Sequence, residues 1–208
     1  MARSLVIIGG GGHGEVVAEA AKLLDVDIAG VLDDVQSPPA CEAFGLPHLG
    51  GLSDFDLIGE HSWILALGDL KTRRDLLDAG LEMVHGASSV VHPEAYVSPT
   101  AGYGKGVFVG PHAVVHTGAR LGDHCIINSA AVVEHHNIIG ANAHIAPGVA
   151  LGGVVRVGRD ALLGVGSRVL PKVEVGDRCV VGAGSAVLHD VSDGERVVGV
   201  PARPLWGG

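Results

Sequence analysis

Residues 127–151 read INSAAVVEHHNIIGANAHIAPGVAL, and every sixth position of this stretch carries a large aliphatic side chain. These anchors are Ile127, Val133, Ile139, Ile145 and Leu151. The same phase continues without a break from Val91 to Val187, with Tyr103 as its one non-aliphatic anchor. A period of six is neither the 3.6-residue period of an α-helix nor the alternation of a simple strand. It predicts a parallel β-helix built from hexapeptides.

Small side chains and glycines accompany the anchors at fixed positions. A small or narrow residue stands four positions after the anchor, as at Cys125 and Ala131, and glycine often follows the anchor directly, as at Gly140. A branched anchor suits an extended backbone inside a flat-sided coil. One hexad cannot bury its own apolar face, so stability must come from stacked neighbours. We predict three hexads per coil, which places residues eighteen positions apart above one another.

The residues before the repeat carry a different pattern, that of a βαβ unit. Leu5–Ile8 reads as a buried strand, residues 9–14 as the loop GGGGHG, Glu15–Leu24 as a helix and Asp27–Leu32 as a second strand. Farther along, Ser37–Pro47 reads as a loop, Ser62–Leu67 as a strand and Lys71–Ala79 as a helix. This order predicts an α/β domain in front of the β-helix.

The glycine loop and the end of the second strand fit a nucleotide-binding fingerprint. Gly9, Gly11 and Gly14 have the GxGxxG spacing, and the acidic pair Asp33–Asp34 follows about 20 residues later. A complete dinucleotide fold needs two such halves, and the hexads leave room for only one. The sequence therefore predicts a half-Rossmann domain that holds a single nucleotide, with phosphate at the start of the helix.

We place the domain boundary near Gly86 and the end of the repeat after Val191. The predicted domains are a half-Rossmann domain at residues 1–86, a β-helix at residues 87–192 and a C-terminal tail at residues 193–208 that leads off the last coil.

Composition and charge exclude several classes of protein. The net charge of −9 disfavours a nucleic-acid partner. No apolar run approaches the roughly 20 residues of a membrane span, and MARSLVIIGG does not read as a signal peptide. The chain has three cysteines, and Cys125 and Cys179 occupy the small-residue position of a hexad, which is a packing role. We therefore expect a cytoplasmic protein with reduced cysteines and no membrane partner.

The regular hexads are interrupted by the polar segment Glu134–His135–His136–Asn137, in which Asn137 takes the small-residue position. His144 follows nine residues after His135, half a coil away. Clustered imidazoles bind zinc in some proteins. Adjacent residues of an extended chain point to opposite faces, however, and no cysteine or second carboxylate completes a ligand set. We therefore predict no metal. We expect four other histidines to face solvent: His92, His112, His116 and His124.

The repeat, the GGGGHG loop, the sequence LDD at residues 32–34 and the EHH-x7-H segment at residues 134–144 together resemble one family. It is that of the bacterial nucleotide-sugar N-acetyltransferases, relatives of the sialic acid O-acetyltransferases. The resemblance implies a half-Rossmann domain followed by a left-handed parallel β-helix. It also implies acetyl-CoA as co-substrate, a nucleotide-linked 4-amino-4,6-dideoxy sugar as acceptor, and a role in bacterial surface glycan biosynthesis.

The resemblance assigns roles to residues by their positions in these motifs. His135 is the general base, flanked by Glu134 and by His136, which stands where the family usually has an acidic residue. The residues expected to contact acetyl-CoA are Asn128, His144, Gly153, Val165 and Ala183. The residues expected to contact the nucleotide sugar are Gly11, Gly12, His13, Asp33, Asp34, Gly68 and Asp69.

An imidazole suits acetyl transfer to an amine because its ordinary pKa of about 6.5 lets it take up the released proton at neutral pH. No serine or cysteine nucleophile adjoins His135, so direct attack of the amine on the thioester is the simpler route. Gly153 lies eighteen residues after His135 and is either an oxyanion donor through its N–H or a turn glycine. Two other functions remain open: O-acetylation of a sialic acid or related acceptor, and a β-helical scaffold without catalysis.

The outer surface of the coil carries apolar residues and few charges, which predicts an interface. These residues are Val114, Ile126, Val132, Ile138 and Leu162. We expect a homotrimer with its active sites between subunits, the state that the resemblance also implies.

Overall fold

The computed structural model describes residues 4–205. Its contacts divide the chain into two units, one ending at Pro93 and the other beginning at Glu94. The division lies a few residues beyond Gly86, the boundary placed from the sequence. Among the helices in residues 4–205, none is both long and apolar enough to cross a membrane.

The first unit is built on a parallel sheet of four strands in the order β3-β2-β1-β4. The strands are β1 (Leu5–Ile8), β2 (Ile28–Leu32), β3 (His48–Gly50) and β4 (Ser62–Leu65). The α-helices are α1 (Gly12–Leu23), α2 (Pro39–Phe44) and α3 (Leu70–Asp78), with 3-10 turns at Phe55–Ile58 and Leu81–Met83. Every residue of β1 is buried, as expected for a central parallel strand covered on both faces. The half-Rossmann prediction is confirmed.

Two elements of this unit were missed, helix α2 and the short strand β3. Helix α2 lies within Ser37–Pro47, which the sequence analysis treats as a loop. Pro39 occupies the start of the helix, where its missing N–H costs nothing, and Gly45 ends it in the left-handed conformation with φ 62°. A helix of six residues is too short to show a helical period, so only its capping residues could have revealed it.

The second unit is a stack of two-residue strands joined by corners. Strand β5 (Val90–Val91) comes just before this unit in the chain. The strands of the unit are β6 (Tyr96–Val97), β7 (Gly102–Tyr103), β8 (Phe108–Val109), β9 (Val114–Val115), β10 (Arg120–Leu121), β11 (Ile126–Ile127), β12 (Val132–Val133), β13 (Ile138–Ile139), β14 (His144–Ile145), β15 (Ala150–Leu151), β16 (Arg156–Val157), β17 (Leu162–Leu163), β18 (Arg168–Val169), β19 (Glu174–Val175), β20 (Val180–Val181), β21 (Ala186–Val187), β22 (Arg196–Val198) and β23 (Arg203–Pro204). Strands β6 to β21 pair in parallel with strands eighteen residues away, as Val133 does with Val115 and Leu151. The three-hexad coil is confirmed.

The coil has three flat faces, which we name after their middle strands. The β12 face contains β6, β9, β12, β15, β18 and β21, and the β13 face contains β7, β10, β13, β16 and β19. The β14 face contains β8, β11, β14, β17, β20, β22 and β23. Anchors such as Val133, Ile145 and Leu163 are fully buried inside, whereas Tyr103 is 48% exposed. The one non-aliphatic anchor is therefore also one that the coil does not enclose.

The corners turn the chain through left-handed backbone conformations. The second residue of the corner has a positive φ, which glycine supplies at Gly118 and Gly166. Residues with side chains adopt the same conformation at His136 (φ 59°) and Val154 (φ 64°). A β-branched residue with positive φ is a conformational outlier, so Val154 stores strain at its corner.

The coil continues past the end of the hexapeptide phase. Val191 bridges to Val175, and Arg196–Val198 pairs in parallel with Val180–Val181. The offset in both cases is sixteen residues, two fewer than in the regular coils. Part of the region predicted as a tail from residue 193 therefore forms the last rung, and the antiparallel strand β23 closes it.

Replacing Val154 with glycine should stabilise the protein. The change removes strain worth about 1–3 kcal/mol and costs about 0.5–1 kcal/mol of backbone entropy, so the thermal midpoint measured by circular dichroism should rise. Val165→Gly is the matched control, because Val165 is an exposed corner residue that is absent from the positive-φ set. Its midpoint should fall. A lower midpoint for Val154→Gly as well would show that the valine is not strained.

Candidate active site

The polar segment forms the corner between the β12 and β13 faces. His135 and His136 are the two turn residues, and both are exposed. The carboxylate of Glu134 accepts a hydrogen bond from the backbone N–H of His135 at 3.0 Å. Glu134 therefore holds the backbone of the corner, and its carboxylate is directed at the main chain.

The two imidazoles of this corner touch each other. Nδ1 of His135 lies 3.2 Å from Nδ1 of His136, and the ring centroids are 5.4 Å apart with the planes at 79°. The prediction that these side chains point to opposite faces is wrong, because the pair lies in a turn and His136 has φ 59°. The alternation that separates neighbouring side chains holds only in extended backbone.

Glycines in the adjacent coils make room for both rings. A Cβ at Gly153 would collide with the imidazole of His135, lying 2.5 Å from its Cε1. A Cβ at Gly118 would lie 2.8 Å from Cδ2 of His136. Gly118 also has a positive φ, whereas Gly153 does not, so what glycine provides at position 153 is space for the imidazole of His135.

Asn137 ties this corner to the corner below it. Its side chain is buried, and its Oδ1 accepts a hydrogen bond from the N–H of Val155 at 2.7 Å. The N–H of Val154 donates to the carbonyl of His135 at 2.9 Å. The turn that carries Gly153 is therefore fixed at two points beneath the imidazole of His135. The sequence analysis marked Asn137 as irregular but gave it no role.

A second group of predicted residues lies on the β14 face. His144 pairs with Ile126 and Leu162 along this face, and its Nε2 lies 3.3 Å from Nδ2 of Asn128. The Oδ1 of Asn128 accepts a hydrogen bond from the N–H of Ser129 at 2.8 Å. The corner of His135 is the one that the β14 face does not adjoin. Within one chain, the predicted base and these predicted cofactor contacts are on opposite sides of the coil.

Three residues predicted to contact the cofactor occupy the same position of their hexads, two residues after the anchor. They are Gly153, Val165 and Ala183. At this position a side chain often caps the backbone N–H, as Asp177 caps that of Arg159. Side-chain caps of this kind are also found at Lys105, Thr117, Ser129, His135 and Asp177. Across residues 4–205, no side chain caps the N–H of the three predicted residues, so these N–H groups are suitable donors to an oxygen-rich ligand.

The glycine loop of the first unit is held by Asp33. The N–H of Gly10 donates to one carboxylate oxygen of Asp33 at 2.6 Å, and the N–H of Val35 donates to the other at 2.8 Å. Asp33 thus fixes the loop directly, and its contact with a nucleoside stays a prediction. A Cβ at Gly11 or Gly12 would meet no protein atom within 4 Å. Packing does not explain these two glycines, which stand where helix α1 begins.

Other residues predicted to contact the nucleotide sugar also make hydrogen bonds within the protein. Asp34 accepts a hydrogen bond from the N–H of Leu52 at 2.9 Å. Asp69 caps helix α3 by accepting from the N–H and the hydroxyl of Thr72, both at 2.7 Å, and the hydrogen bonds from Thr72 hold its pKa below the usual value. Gly68 precedes this cap and is exposed, and His13 is the second residue of α1. Their contacts with substrate stay predictions.

Two histidines were misplaced by the sequence analysis. His92 and His124 are buried, at 8% and 2% exposure, whereas His112 is exposed as predicted and His116 is half-buried. Side chains at these corners can fold back over the adjacent coil, as the ring of His124 does over Gly106. In residues 4–205, no three histidine, cysteine, aspartate or glutamate side chains form a group that could hold a metal ion. The three cysteines are free.

A half-Rossmann unit followed by a hexapeptide coil, with paired histidines at one corner, defines a hexapeptide-repeat acyltransferase. Residues 4–79 match the PglD N-terminal domain, and residues 154–189 match the hexapeptide repeat of succinyl-transferase. No curated protein sequence matches the chain significantly.

Solved structures extend the similarity to the whole chain. The acetyltransferase domain of PglB from Neisseria gonorrhoeae, in complex with acetyl coenzyme A, is 34% identical with a TM-score of 0.91, over 99% of this chain and 100% of that one. PerB from Caulobacter crescentus, in complex with CoA and GDP-perosamine, is 36% identical with a TM-score of 0.89, over 97% of each chain. The chain belongs to this family of sugar N-acetyltransferases with a left-handed β-helix.

Replacing Gly153 with alanine should displace the imidazole of His135 and leave the fold intact. The new methyl group would overlap the ring, and a side chain at the surface can rotate away from it. We expect at least a tenfold loss of kcat with an unchanged thermal midpoint, since a misplaced catalytic group costs much of its contribution. Gly102→Ala is the control, because Gly102 has no positive φ and a Cβ there would make only an ordinary contact, 3.4 Å from Cδ of Arg120. Equal kcat for Gly153→Ala and wild type would contradict the role given to this glycine.

Proposed function

We propose that the protein transfers the acetyl group of acetyl-CoA to the amino group of a nucleotide-linked 4-amino-4,6-dideoxy sugar. The observation that carries the proposal is the imidazole of His135 at a corner over Gly153, whose turn is tied to that corner by two hydrogen bonds. Family membership supports the class of reaction, and the related structures contain acetyl-CoA in one case and CoA with GDP-perosamine in another. A role in surface glycan biosynthesis and a cytoplasmic location belong to the same proposal.

In the proposed mechanism the amino group attacks the thioester carbonyl directly. The new C–N bond forms as His135 takes a proton from the nitrogen. Collapse of the tetrahedral intermediate then breaks the C–S bond, and the thiolate of CoA takes up the proton from His135 and leaves as the thiol. The N–H of Gly153 stabilises the oxyanion, as an uncapped backbone donor beside the base can do. Asn137 keeps this donor and the imidazole in one arrangement through its bond to Val155.

The two substrates are assigned to different units. The start of helix α1, with the open positions Gly11 and Gly12, receives the diphosphate of the sugar nucleotide, since helix N-termini favour anions. The coil receives acetyl-CoA through Asn128, His144 and the uncapped N–H groups. Asp33 contributes to binding of the sugar nucleotide indirectly, by holding the glycine loop in place.

Acetylation of nitrogen is favoured over the alternative, O-acetylation of a sialic acid or related sugar. The relatives that cover nearly the whole chain include a perosamine N-acetyltransferase from Caulobacter crescentus, 34% identical over 98% of this chain in a variant with one histidine replaced by asparagine. An amine also needs only proton removal after attack, which a single imidazole provides.

His135→Ala should lose about 10²–10⁴-fold in kcat, the usual contribution of a general base. The measurement is thiol release from acetyl-CoA with a panel of UDP-, GDP- and dTDP-linked 4-amino-4,6-dideoxy sugars. His112→Ala, an exposed histidine at a different corner, serves as control and should match wild type. Activity of wild type on free sialic acid alone, with none on the panel, would replace the first function by the second.

We further propose that the active enzyme is a homotrimer. His135 and His144 lie on opposite sides of one coil, so a thioester held at His144 meets the His135 of a neighbouring subunit. Ile138, 40% exposed beside the corner of His135, and the half-buried Leu162 beside His144 are the apolar groups that such a contact covers. Ile126 drops out of the predicted interface, because it is 1% exposed within the single chain.

Mixing two inactive variants tests this arrangement. If His135 and His144 of different subunits form each site, random co-expression of His135→Ala and His144→Ala chains should restore about a quarter of wild-type activity, since about three quarters of the trimers are mixed and each of these holds one intact site of three. Each variant expressed alone is the control and should be inactive. No recovery on mixing, or full activity at the 21.1 kDa mass of one chain in light scattering, would contradict the trimer.

A further inference from the structure

The contact between the two imidazoles gives His136 a specific task. We propose that Nδ1 of His136 accepts the Nδ1–H of His135, which fixes the tautomer of His135 with its lone pair on Nε2, and that His136 is thus the positioning residue of the base. The inference rests on the proposed function, in which His135 is that base.

A contact of 3.2 Å between two ring nitrogens is a hydrogen bond when one of the two carries a proton. A neutral imidazole has one N–H donor and one bare nitrogen, so one ring donates through Nδ1 and the other accepts. If His135 donates, its Nε2 is bare and can take a proton from the substrate. If His135 accepts, its Nε2 carries the proton and the base is lost. The tautomer of the pair therefore decides whether His135 can act as a base.

No other acceptor is directed at Nδ1 of His135 in residues 4–205. The carboxylate of Glu134, the acid next to His135 in sequence, accepts a hydrogen bond from the backbone N–H of His135. The turns that adjoin the rings are Thr117–Gly118 and Gly153–Val154, which carry no titratable side chain. His136 is thus the group that can hold the proton of Nδ1.

The left-handed backbone at His136 makes this contact possible. With φ 59° its side chain turns back toward that of His135, and Gly118 leaves space for the far side of its ring. When His135 takes up the substrate proton on Nε2, its Nδ1–H becomes a charge-assisted donor to the neutral ring of His136, which strengthens the bond. The acceptor therefore stabilises the charged form of the base as well as its orientation.

The test measures the tautomer and the kinetics of matched variants. Two-bond ¹H–¹⁵N correlation spectra of histidine-labelled protein at pH 8 assign the proton of His135 to Nδ1 or Nε2 without any substrate. We expect Nδ1 in wild type and in His136→Asp, whose carboxylate is an acceptor and whose residue type tolerates a positive φ. His136→Ala, which Ala130 shows to be compatible with this backbone, should lose that preference.

In the kinetic arm, kcat of His136→Ala should fall about 10- to 100-fold while KM for both substrates stays within about twofold, since only part of the general-base contribution is lost. His136→Asp should retain kcat within about tenfold of wild type. His112→Ala is the control, because His112 occupies the equivalent corner position with φ 57° and is exposed. It should change neither spectrum nor rate.

A proton on Nε2 of His135 in wild type, or an unchanged tautomer and kcat in His136→Ala, overturns the inference. Failure of the proposed function looks different. If no acceptor is acetylated by wild type, or if His135→Ala is fully active, the function is wrong whatever the spectra show, because the tautomer is measured without substrate.

Discussion

The eighteen-residue register between parallel strands is the constraint on which the rest of this protein depends. Each rung is two residues long and cannot bury an apolar face alone, so every rung is stabilised by the one above and the one below. The same register places Gly153 beneath His135 and Gly118 against His136. The positions of the rings therefore follow from the stacking of the whole coil. A site built in this way is preorganised by elements that share no sequence neighbourhood with it.

Chemistry is possible at a corner because the backbone there is not extended. Along a flat face, neighbouring side chains point to opposite sides, and His144 accordingly contacts Asn128 on the next rung. At the corner, a positive φ brings consecutive side chains together, and His135 meets His136. The hydrogen bonds of Asn137 and Val154 then hold two successive corners in fixed relation. The strained backbone of Val154 adjoins these hydrogen bonds, which help to hold it in its unfavourable conformation.

The period of six was enough to predict the coil, its register and the pairing of His135 with Gly153, since these depend only on counting. Contacts that depend on φ could not be predicted, and the meeting of the two imidazoles is the main example. The acidic residues after the strands show a second limit. Asp33 and Asp69 were assigned to ligand on their positions, yet buried turns and helix ends also need acceptors for backbone N–H groups. Burial of His124 was missed for a similar reason, because a corner side chain can lie against the adjacent coil.

The last rung bears on how the molecule avoids polymerisation. A stack of parallel strands has an open end whose unpaired backbone groups could accept a further rung from another chain. Here the change of offset to sixteen residues ends the regular geometry, and β23 runs antiparallel across the edge of β22. Pro204 in that strand has no N–H to offer a following strand. On the β14 face, β23 therefore covers the strand edge that end-to-end addition would need.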